Sequence, residues 1–323
     1  MAAQRRLSRS CCLCAWLSAA LARTSGRRPV SPLRAYLGAR EYRRSEWSKR
    51  GNSTALALLR EWLTEVEDVT YACQHLRRVG GHGDGSYVVC EDLPWRGQGG
   101  CTILGYGIDF NDRFEIESAQ RWGCQVHEFD PTVSSSQGAK LHPDSIHFHQ
   151  QGLWSRPTTL KIGKVDSLEN HIRSLHHAKG VPDSRLVVKI DVEGAEWPAL
   201  SAASDSLLKE IDHLIVEFHI RPEDVFSADM PDKISLLRRL KRHFYVYHIH
   251  FNNCGNWQTP EKDCHQPFPG APGYYVGNVE LALVRRQRIA GVPQGPFSWH
   301  SELDERNVPW MPPLTRRSYP VPP

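Results

Sequence analysis

Short runs with apolar or alternating patterns recur along most of this chain, separated by stretches with a helical period. Seven such runs are typical of buried strands. They are Thr102–Ile108, Gln125–Phe129, Ile146–His149, Leu186–Asp191, His213–His219, Phe244–Ile249 and Val279–Val284. The alternation predicts an α/β fold, with a mostly parallel seven-stranded sheet and helices on both faces. No helical pattern separates the last two runs, which predicts that the last strand is antiparallel.

The stretches between these runs carry apolar residues three and four positions apart, which is the period of a helix. The predicted helices are Phe114–Trp122, Ser167–His177, Trp197–Glu210 and Lys233–Lys241. A further helix is expected to begin near Ser53, where Leu56, Leu59 and Leu63 recur with acids between them. We expect this N-terminal helix to cover the sheet.

The two ends of the chain differ from its body. Residues 1–22 combine a basic start with an apolar run and an A-x-A-like site, as in a signal peptide, although their arginines also suit a mitochondrial presequence. Residues 23–52 are predicted to be a linker and residues 53–288 a domain. Residues 289–323 are predicted to be a proline-rich tail, extended or disordered, because eight of the 22 prolines lie in residues 291–323.

Charge and cysteine content bear on partners and compartment. Residues 1–40 contain eight arginines and no acidic residue. The rest of the chain therefore holds 32 basic and 36 acidic residues, and this slightly negative balance does not favour nucleic-acid binding. Beyond residue 22 six cysteines remain, an even number that suits disulfides, with Cys254–Cys264 as one candidate pair; free thiols are the alternative. With a sequon at Asn52, this favours secretion or the secretory-pathway lumen over mitochondria. The N-terminal apolar run is short for a stable membrane span, with a Golgi-type anchor as the alternative.

The ends of the first two strands suggest a nucleoside-containing cofactor. Gly105 and Gly107 form a turn, and Asp130 lies 23 residues beyond Gly107, near the spacing of an acid that binds ribose hydroxyls. Alternatively, the glycines only shape the turn. A dinucleotide would need glycine where Phe110 stands, and Asp109 beside it would repel a pyrophosphate. The pattern therefore favours S-adenosyl-L-methionine, which carries a cation and no phosphate, over NAD.

Charged residues end two further strands. Lys189, Asp191 and Glu193 alternate where a central strand is normally apolar, and Glu217 and His219 end the following strand. Because burying an unpaired charge is costly, this row needs partners or a ligand. We predict that the acids and His219 surround one crevice. The alternative is structural: Lys189 pairs with a carboxylate, and the acids face the positive end of a helix.

The segment Lys189–Glu196, KIDVEGAE, flanked by Val165–Leu168 and Ile215–His219, resembles the FkbM-type S-adenosylmethionine-dependent methyltransferases. Three other segments are closer still to the methyltransferase-like 24 group: Gly83–Tyr87, Leu104–Ile108 and His127–Thr132. The likeness covers about residues 69–288. The chain departs from the FkbM pattern in lacking an acid and a G-A-N run in the first loop and in carrying Asp130–Pro131 in place of Glu-Pro.

The resemblance implies a Rossmann-like methyltransferase fold that binds S-adenosyl-L-methionine. The cofactor-binding residues it implies are Gly105, Gly107 and Asp130, to which we add Asp109 in the same turn.

Together these features suggest methyl transfer to an oxygen of a small-molecule or glycan-like acceptor. Such a displacement needs alignment and often a base, for which Asp191 and His219 are the candidates. Glu193 would orient the acceptor or hold the amino group of the cofactor, so the predicted catalytic residues are Asp191, Glu193 and His219. No third ligand has a clear metal-binding spacing, so no metal is predicted. The alternative is a secreted binding protein that keeps the fold without catalysis.

Overall fold

The structure, a computed structural model, describes residues 53–97, 99–179, 185–220, 227–252, 266–267, 275–276, 278–289 and 303–305. Its strands are β1 (Leu76–Val79), β2 (Tyr87–Cys90), β3 (Cys101–Tyr106), β4 (Gln125–Phe129), β5 (Ile146–His149), β6 (Gly152–Trp154), β7 (Thr158–Leu160), β8 (Gly163–Ser167), β9 (Arg185–Ile190), β10 (His213–Phe218), β11 (Phe244–Phe251), β12 (Gln266–Pro267), β13 (Tyr275–Val276) and β14 (Val279–Arg285).

Seven of these strands form the central sheet, in the order β11–β14–β10–β9–β3–β4–β5. β10, β9, β3, β4 and β5 are parallel neighbours, whereas β14 is antiparallel to both β10 and β11. The seven predicted strands are therefore confirmed, with small differences at their ends. The predicted antiparallel direction of the last strand is confirmed as well, since β14 runs opposite to both of its neighbours.

The helices are α1 (Ser53–Val66), α2 (Arg113–Trp122), α3 (Gln137–Leu141), α4 (Leu168–Lys179), α5 (Glu196–Ala202), α6 (Asp205–Leu208) and α7 (Met230–His243), followed by a 3₁₀ turn at Arg286–Arg288. α1, α4, α5 and α7 contribute to one apolar core with Leu59, Ile172, Leu200 and Leu237. α2 lies in the core of the opposite face through Phe114. Helices on both faces, with α1 as a cover, are confirmed.

Besides the β12–β13 pair, four further features were missed or wrongly bounded from the sequence. β1 and β2 form a hairpin, and β6, β8 and β7 form a small separate sheet. The five-residue helix α3 was not predicted. The single helix predicted over Trp197–Glu210 is wrong, because the chain leaves α5 at Ala203 and restarts as α6 at Ser204. The Ser204 hydroxyl accepts a hydrogen bond from the Leu207 N–H, which is a typical N-cap.

Two disulfides tie the first part of the domain together. Cys73 is bonded to Cys90, and Cys101 is bonded to Cys124. The bonded cysteines are 17 and 23 residues apart in the sequence. Because each bond lowers the conformational entropy of the unfolded chain, each should stabilise the folded protein by roughly 3 kcal/mol. For these four cysteines the free-thiol alternative is wrong. The candidate pair Cys254–Cys264 lies outside the described residues.

Three residues of the C-terminal tail are described, and they lie against the domain. The Leu303 carbonyl accepts a hydrogen bond from Arg78 Nε at 2.7 Å, and Glu305 Oε1 lies 2.8 Å from His82 Nδ1. Asp304 Oδ1 lies 2.7 Å from His248 Nε2 on β11. The predicted ends of the domain, at residues 53 and 288, stay predictions. Within the described part of the chain, no helix is both long and apolar enough to cross a membrane.

The space around Gly107, just after β3, predicts that no other residue can replace this glycine. Gly107 has a φ of +77°, and a Cβ there would lie 1.6 Å from the carbonyl oxygen of Asp191. Gly107→Ala should therefore lower the free energy of unfolding by about 4 kcal/mol or more, or prevent folding. Gly100→Ala is the matched control, since its φ is +90° but nothing lies within 4 Å of the added Cβ. The control should lose only about 1–2 kcal/mol. Urea denaturation measures both, and equal losses would contradict the steric argument.

Candidate functional site

The predicted site residues all lie at one edge of the sheet, where the parallel strands β3, β4, β9 and β10 end. Gly107 and Asp109 follow β3, and Asp130 follows β4. Asp191 follows β9, and His219 follows β10. Ligands of open α/β sheets bind beyond the carboxyl ends of the strands, near the point where the strand order reverses. That point lies between β3 and β9, because the chain runs outward from β3 through β4 and β5 and then returns to β9.

The two turn glycines permit close packing around the end of β3. A Cβ on Gly105 would lie 2.4 Å from Oε1 of Glu115, a buried side chain of α2. Gly107 lies against the backbone of Asp191, and its N–H donates to the Phe129 carbonyl at 3.0 Å. Their shared role in this structure is steric, and direct contact with a cofactor stays a prediction.

Asp130 holds two loops together through its carboxylate. Oδ2 accepts hydrogen bonds from the N–H groups of Ile108 and Asp109 at 3.0 and 2.8 Å. Oδ1 accepts from the N–H and the hydroxyl of Thr132 at 2.7 and 2.6 Å. The side chain is buried, so both oxygens are occupied by the protein itself. Asp130 thus shapes the loop that follows β3, and contact with a ribose stays a prediction.

A cavity of about 570 Å³ opens beside this loop. Its described lining consists of Asp109, Phe110, Asp112, Thr132, Val133, Ser134, Ser135, Ser136, Gln137, Lys140 and Gln150. Phe110 is 74% exposed, which is unusual for a large apolar side chain. Of the predicted cofactor residues, Asp109 is in this lining and Gly105, Gly107 and Asp130 are not.

A second group of side chains lies at the ends of β9 and β10, outside the described lining of that cavity. We call it the His219 cluster; it consists of Asp191, Glu193, Glu196, Glu217 and His219. The Nε2 atom of His219 lies 3.8 Å from Asp191 Oδ1, 3.6 Å from Glu193 Oε2 and 3.8 Å from Glu217 Oε1. The prediction that the strand-end acids and His219 lie together therefore agrees with the structure, whereas the crevice in front of them stays a prediction.

Glu196 fixes the position of His219. Its Oε1 accepts a hydrogen bond from the His219 N–H at 2.8 Å and lies 3.2 Å from His219 Nδ1. Its Oε2 accepts from the Gly194 N–H at 2.8 Å. Glu196 is fully buried in the first turn of α5, so the sequence-based alternative of an acid at the positive end of a helix agrees with its place, and its contacts with His219 come in addition.

Burial and the charges of the cluster's carboxylates shift the pKa values of His219 and Glu217. Burial of His219 opposes its charged form, but Glu196 and Glu193 outweigh this and hold the pKa of His219 well above its usual value. Burial, and then the negative charge of Asp191, raise the pKa of Glu217 well above its usual value. The carboxylates thus favour the charged form of His219, whereas burial and a neighbouring charge favour the neutral form of Glu217.

Asp191 and Glu217 have partners from distant parts of the chain. The Tyr87 hydroxyl donates to Asp191 Oδ2 at 3.0 Å. Burial and the charge of Asp191 raise the pKa of Tyr87 well above its usual value, so Tyr87 stays a donor. Nδ2 of Asn252, at the end of β11, donates to Glu217 Oε1 at 2.9 Å. Sequence reasoning missed Tyr87 and Asn252 because no spacing links them to the strand-end motif.

Lys189 does not belong to the cluster, although it alternates with Asp191 and Glu193 in the sequence. Its Nζ donates to the Gly107 carbonyl at 3.0 Å and lies 3.9 Å from Glu115 Oε1. The alternative that Lys189 pairs with a carboxylate agrees with this contact. β9 ends at Ile190, so strict alternation stops before Asp191.

Two residues at this edge have a left-handed backbone without being glycine. Glu193 has a φ of +56° and Asp109 a φ of +46°. Such conformations cost about 1–3 kcal/mol each and concentrate at functional sites. One lies at the end of β9 and the other at the end of β3, on opposite sides of the point where strand order reverses.

Beneath the cavity, two carboxyl groups are buried close to each other. Glu115 and Glu128 are both 0% exposed, and a hydrogen bond from the Ser136 side chain to Glu128 only partly offsets the effect of burial on its pKa. Burial raises the pKa of Glu128 to about 8, with a further contribution from the charges of Glu115 and Asp112. Burial also raises the pKa of Glu115, which Lys189 opposes. Glu128 is therefore held as the neutral acid.

Comparison with known proteins gives these features a context. A family model described as "Methyltransferase domain" matches residues 38–263. Two curated proteins named "Probable methyltransferase-like protein 24" are similar. The Homo sapiens protein is 30% identical over 129 residues, 37% of this chain and 33% of that protein. The Rattus norvegicus protein is 28% identical over 170 residues, 46% of this chain and 43% of that protein.

This chain thus spans less than half the length of these relatives. The matches confirm the resemblance to the methyltransferase-like 24 group. The FkbM-type likeness stays a prediction.

The neutral state of Glu128 predicts a pH-dependent stability. Between about pH 4.5 and pH 8 the folded protein keeps a proton that the unfolded chain releases, so stability falls as pH rises through this window. Glu128→Gln, which resembles the neutral acid, should flatten this fall and raise the free energy of unfolding above about pH 8 by on the order of a few kcal/mol. Glu210→Gln, at an exposed position, is the control and should change neither. Urea unfolding across the window measures the slope, and an unchanged slope in Glu128→Gln would contradict the assignment.

Proposed function

Since this chain belongs to the family of methyltransferase domains, we propose that it transfers a methyl group from S-adenosyl-L-methionine to a hydroxyl oxygen of a small-molecule or glycan-like acceptor. The observation that carries the proposal is the His219 cluster. It places one partly exposed carboxylate, Asp191, beside a protonated imidazole at the point where the strand order reverses. This arrangement suits an acceptor hydroxyl that must be oriented and deprotonated.

The cavity beside Asp109 fits the cofactor. Its described lining contains the acids Asp109 and Asp112 and a single basic residue, Lys140. This charge balance suits a cationic, phosphate-free ligand better than a dinucleotide. Phe110, exposed at the rim, offers a flat surface on which an adenine ring can stack. When bound, S-adenosyl-L-methionine supplies a methyl group on a positively charged sulfur, which takes the electron pair of the broken C–S bond.

Asp191 is the residue that accepts the proton of the acceptor hydroxyl as the new C–O bond forms. Its side chain is 24% exposed and therefore reachable from the crevice. Its Oδ2 is held by the Tyr87 hydroxyl, which leaves Oδ1 on the side of His219. His219 was the other candidate base, but its raised pKa keeps it protonated.

His219 and Glu193 orient the acceptor. The protonated imidazole of His219 can donate to an acceptor oxygen, and Glu196 fixes the plane of the ring. The carboxylate of Glu193 is 42% exposed and lies 3.6 Å from His219 Nε2, so it reaches the crevice mouth. An acceptor with several hydroxyl groups, such as a glycan-like molecule, can be bound by these groups together.

The compartment proposed for this reaction is the secretory-pathway lumen or the extracellular space, with mitochondria as the alternative. Two disulfides within the domain, Cys73–Cys90 and Cys101–Cys124, support an oxidising environment. The signal peptide over residues 1–22 and the sequon at Asn52 belong to the same proposal.

Phe110 gives a direct test of the cofactor cavity. Loss of the stacking surface in Phe110→Ala should weaken S-adenosyl-L-methionine binding by about tenfold. Leu141→Ala removes another exposed apolar side chain, outside the described lining, and should bind normally. Isothermal titration calorimetry measures both. If the unaltered protein gives no heat at millimolar cofactor, the proposal is wrong and a binding protein without methyltransferase activity is favoured.

Asp191 gives the test of catalysis. Asp191→Asn keeps the size of the side chain but removes the base, so turnover should fall by about 10²- to 10⁴-fold while cofactor affinity changes little. Asp144→Asn, at an exposed position, is the matched control. The readout is transfer of isotopically labelled methyl from the cofactor to a panel of small molecules and glycans. Undiminished transfer by Asp191→Asn would remove Asp191 from the mechanism.

A further inference from the structure

Three members of the His219 cluster, Asp191, Glu217 and His219, bring possible metal-ligand atoms close together. One oxygen of Asp191, one oxygen of Glu217 and one nitrogen of His219 all lie within 4.8 Å of one another. They come from the ends of the adjacent strands β9 and β10. The sequence showed no third ligand spacing because these residues are brought together only by the pairing of the two strands.

The imidazole of His219 is oriented as a metal-bound histidine is. Its Nδ1 faces the buried carboxylate of Glu196 at 3.2 Å, and its Nε2 faces the oxygens of Asp191 and Glu217, each at 3.8 Å. These two latter distances are too long for hydrogen bonds. A carboxylate on one ring nitrogen and a metal ion on the other is the usual arrangement of histidine ligands. His219 is only 7% exposed, so Nε2 is a buried polar atom directed at these oxygens.

Asn252 supplies a second, independent indication. Its side chain is 4% exposed, and its Oδ1 atom has no hydrogen-bond partner among the described residues. The same amide donates through Nδ2 to Glu217 Oε1, the oxygen that faces His219. A buried amide oxygen without a donor is costly unless a ligand satisfies it.

A comparison with the other candidate group shows what distinguishes this site. Cys73, Cys90 and Asp92 also lie close together. Both sulfurs are consumed by their disulfide, however, and Asp92 accepts hydrogen bonds from Tyr71 and His75. That group has no available ligand set, whereas the His219 cluster does.

We propose that Asp191, Glu217 and His219 bind a divalent transition-metal ion, with the amide of Asn252 beside it. Ligand atoms about 2.1 Å from one ion stand roughly 3 to 3.5 Å apart, so the two separations of 3.8 Å between His219 Nε2 and the carboxylate oxygens need to shrink by less than about 1 Å. One imidazole with carboxylates favours Mn²⁺ or Zn²⁺ over Mg²⁺ and Ca²⁺, which prefer oxygen alone. Glu196 is a positioning residue.

The role of the ion rests on the proposed function, although its binding does not. Binding of the ion would displace the protons of His219 and Glu217, so that the ion would take over from the protonated imidazole in orienting the acceptor hydroxyl and would lower the pKa of that hydroxyl. Binding is tested without cofactor or acceptor, so its failure and the failure of methyl transfer can be told apart.

The test uses the full chain, stripped of metal with a chelator and titrated with Mn²⁺ under electron paramagnetic resonance. We expect one Mn²⁺ per chain, displaced by Zn²⁺. His219→Gln and Glu196→Gln should each weaken binding by about 10- to 100-fold. Glu169→Gln, on the outside of α4, should bind as the unaltered protein does. Absence of binding at millimolar Mn²⁺ and Zn²⁺, or unchanged binding in His219→Gln, overturns the proposal.

A second measurement on the unaltered protein covers the case in which the variants do not fold. Electron spin-echo modulation of the Mn²⁺-loaded chain should show coupling to one imidazole nitrogen. Bound Mn²⁺ without that coupling would place the ion elsewhere and overturn the site.

Discussion

The contact on which the site depends is the close approach of β3 and β9 at the point where they separate. Gly107 lies against the carbonyl of Asp191, and the Asp191 N–H donates to the Tyr106 carbonyl at 3.1 Å. Lys189 binds the Gly107 carbonyl from β9, so both strand ends are held in one geometry. Because a side chain at position 107 has no room, the loop that follows β3 and the backbone of Asp191 are fixed by the same contact.

This edge of the sheet concentrates buried charge, which a fold does not tolerate without partners. Four carboxyl groups of the cluster surround a single imidazole, and burying each unpaired charge would cost several kcal/mol. The structure compensates this charge through the imidazole of His219, whose pKa the carboxylates raise, and through hydrogen bonds from Tyr87 and Asn252. Apolar residues in place of these buried charges would often give an equally or more stable protein. The charged cluster is therefore better explained by a function than by stability.

The sequence predicted the sheet well because its strands are marked by local apolar patterns. The ends of those strands also predicted that Asp191, Glu193 and His219 lie near one another, while their catalytic role stays a proposal. It failed for β6 to β8, whose three to five residues are too short to show a period. Sequence alternation also placed Lys189 in one row with Asp191 and Glu193. This was wrong because β9 ends at Ile190, so the alternation does not continue to Asp191. Glu196, Tyr87 and Asn252 were missed because their roles arise from tertiary contacts with no local signature.

The cavity and the His219 cluster lie on opposite sides of the turn after β3, and this separation constrains the reaction. The described lining of the cavity suits the adenosine part of the cofactor, whereas the cluster suits an acceptor hydroxyl. An in-line transfer requires the sulfur, the methyl carbon and the acceptor oxygen to lie on one line between them. The backbone from Gly107 to Asp109 is the part of the protein that borders both. A rigid turn there, held by the carboxylate of Asp130 and strained at Asp109, is consistent with that demand, because a small displacement would misalign the two halves of the site.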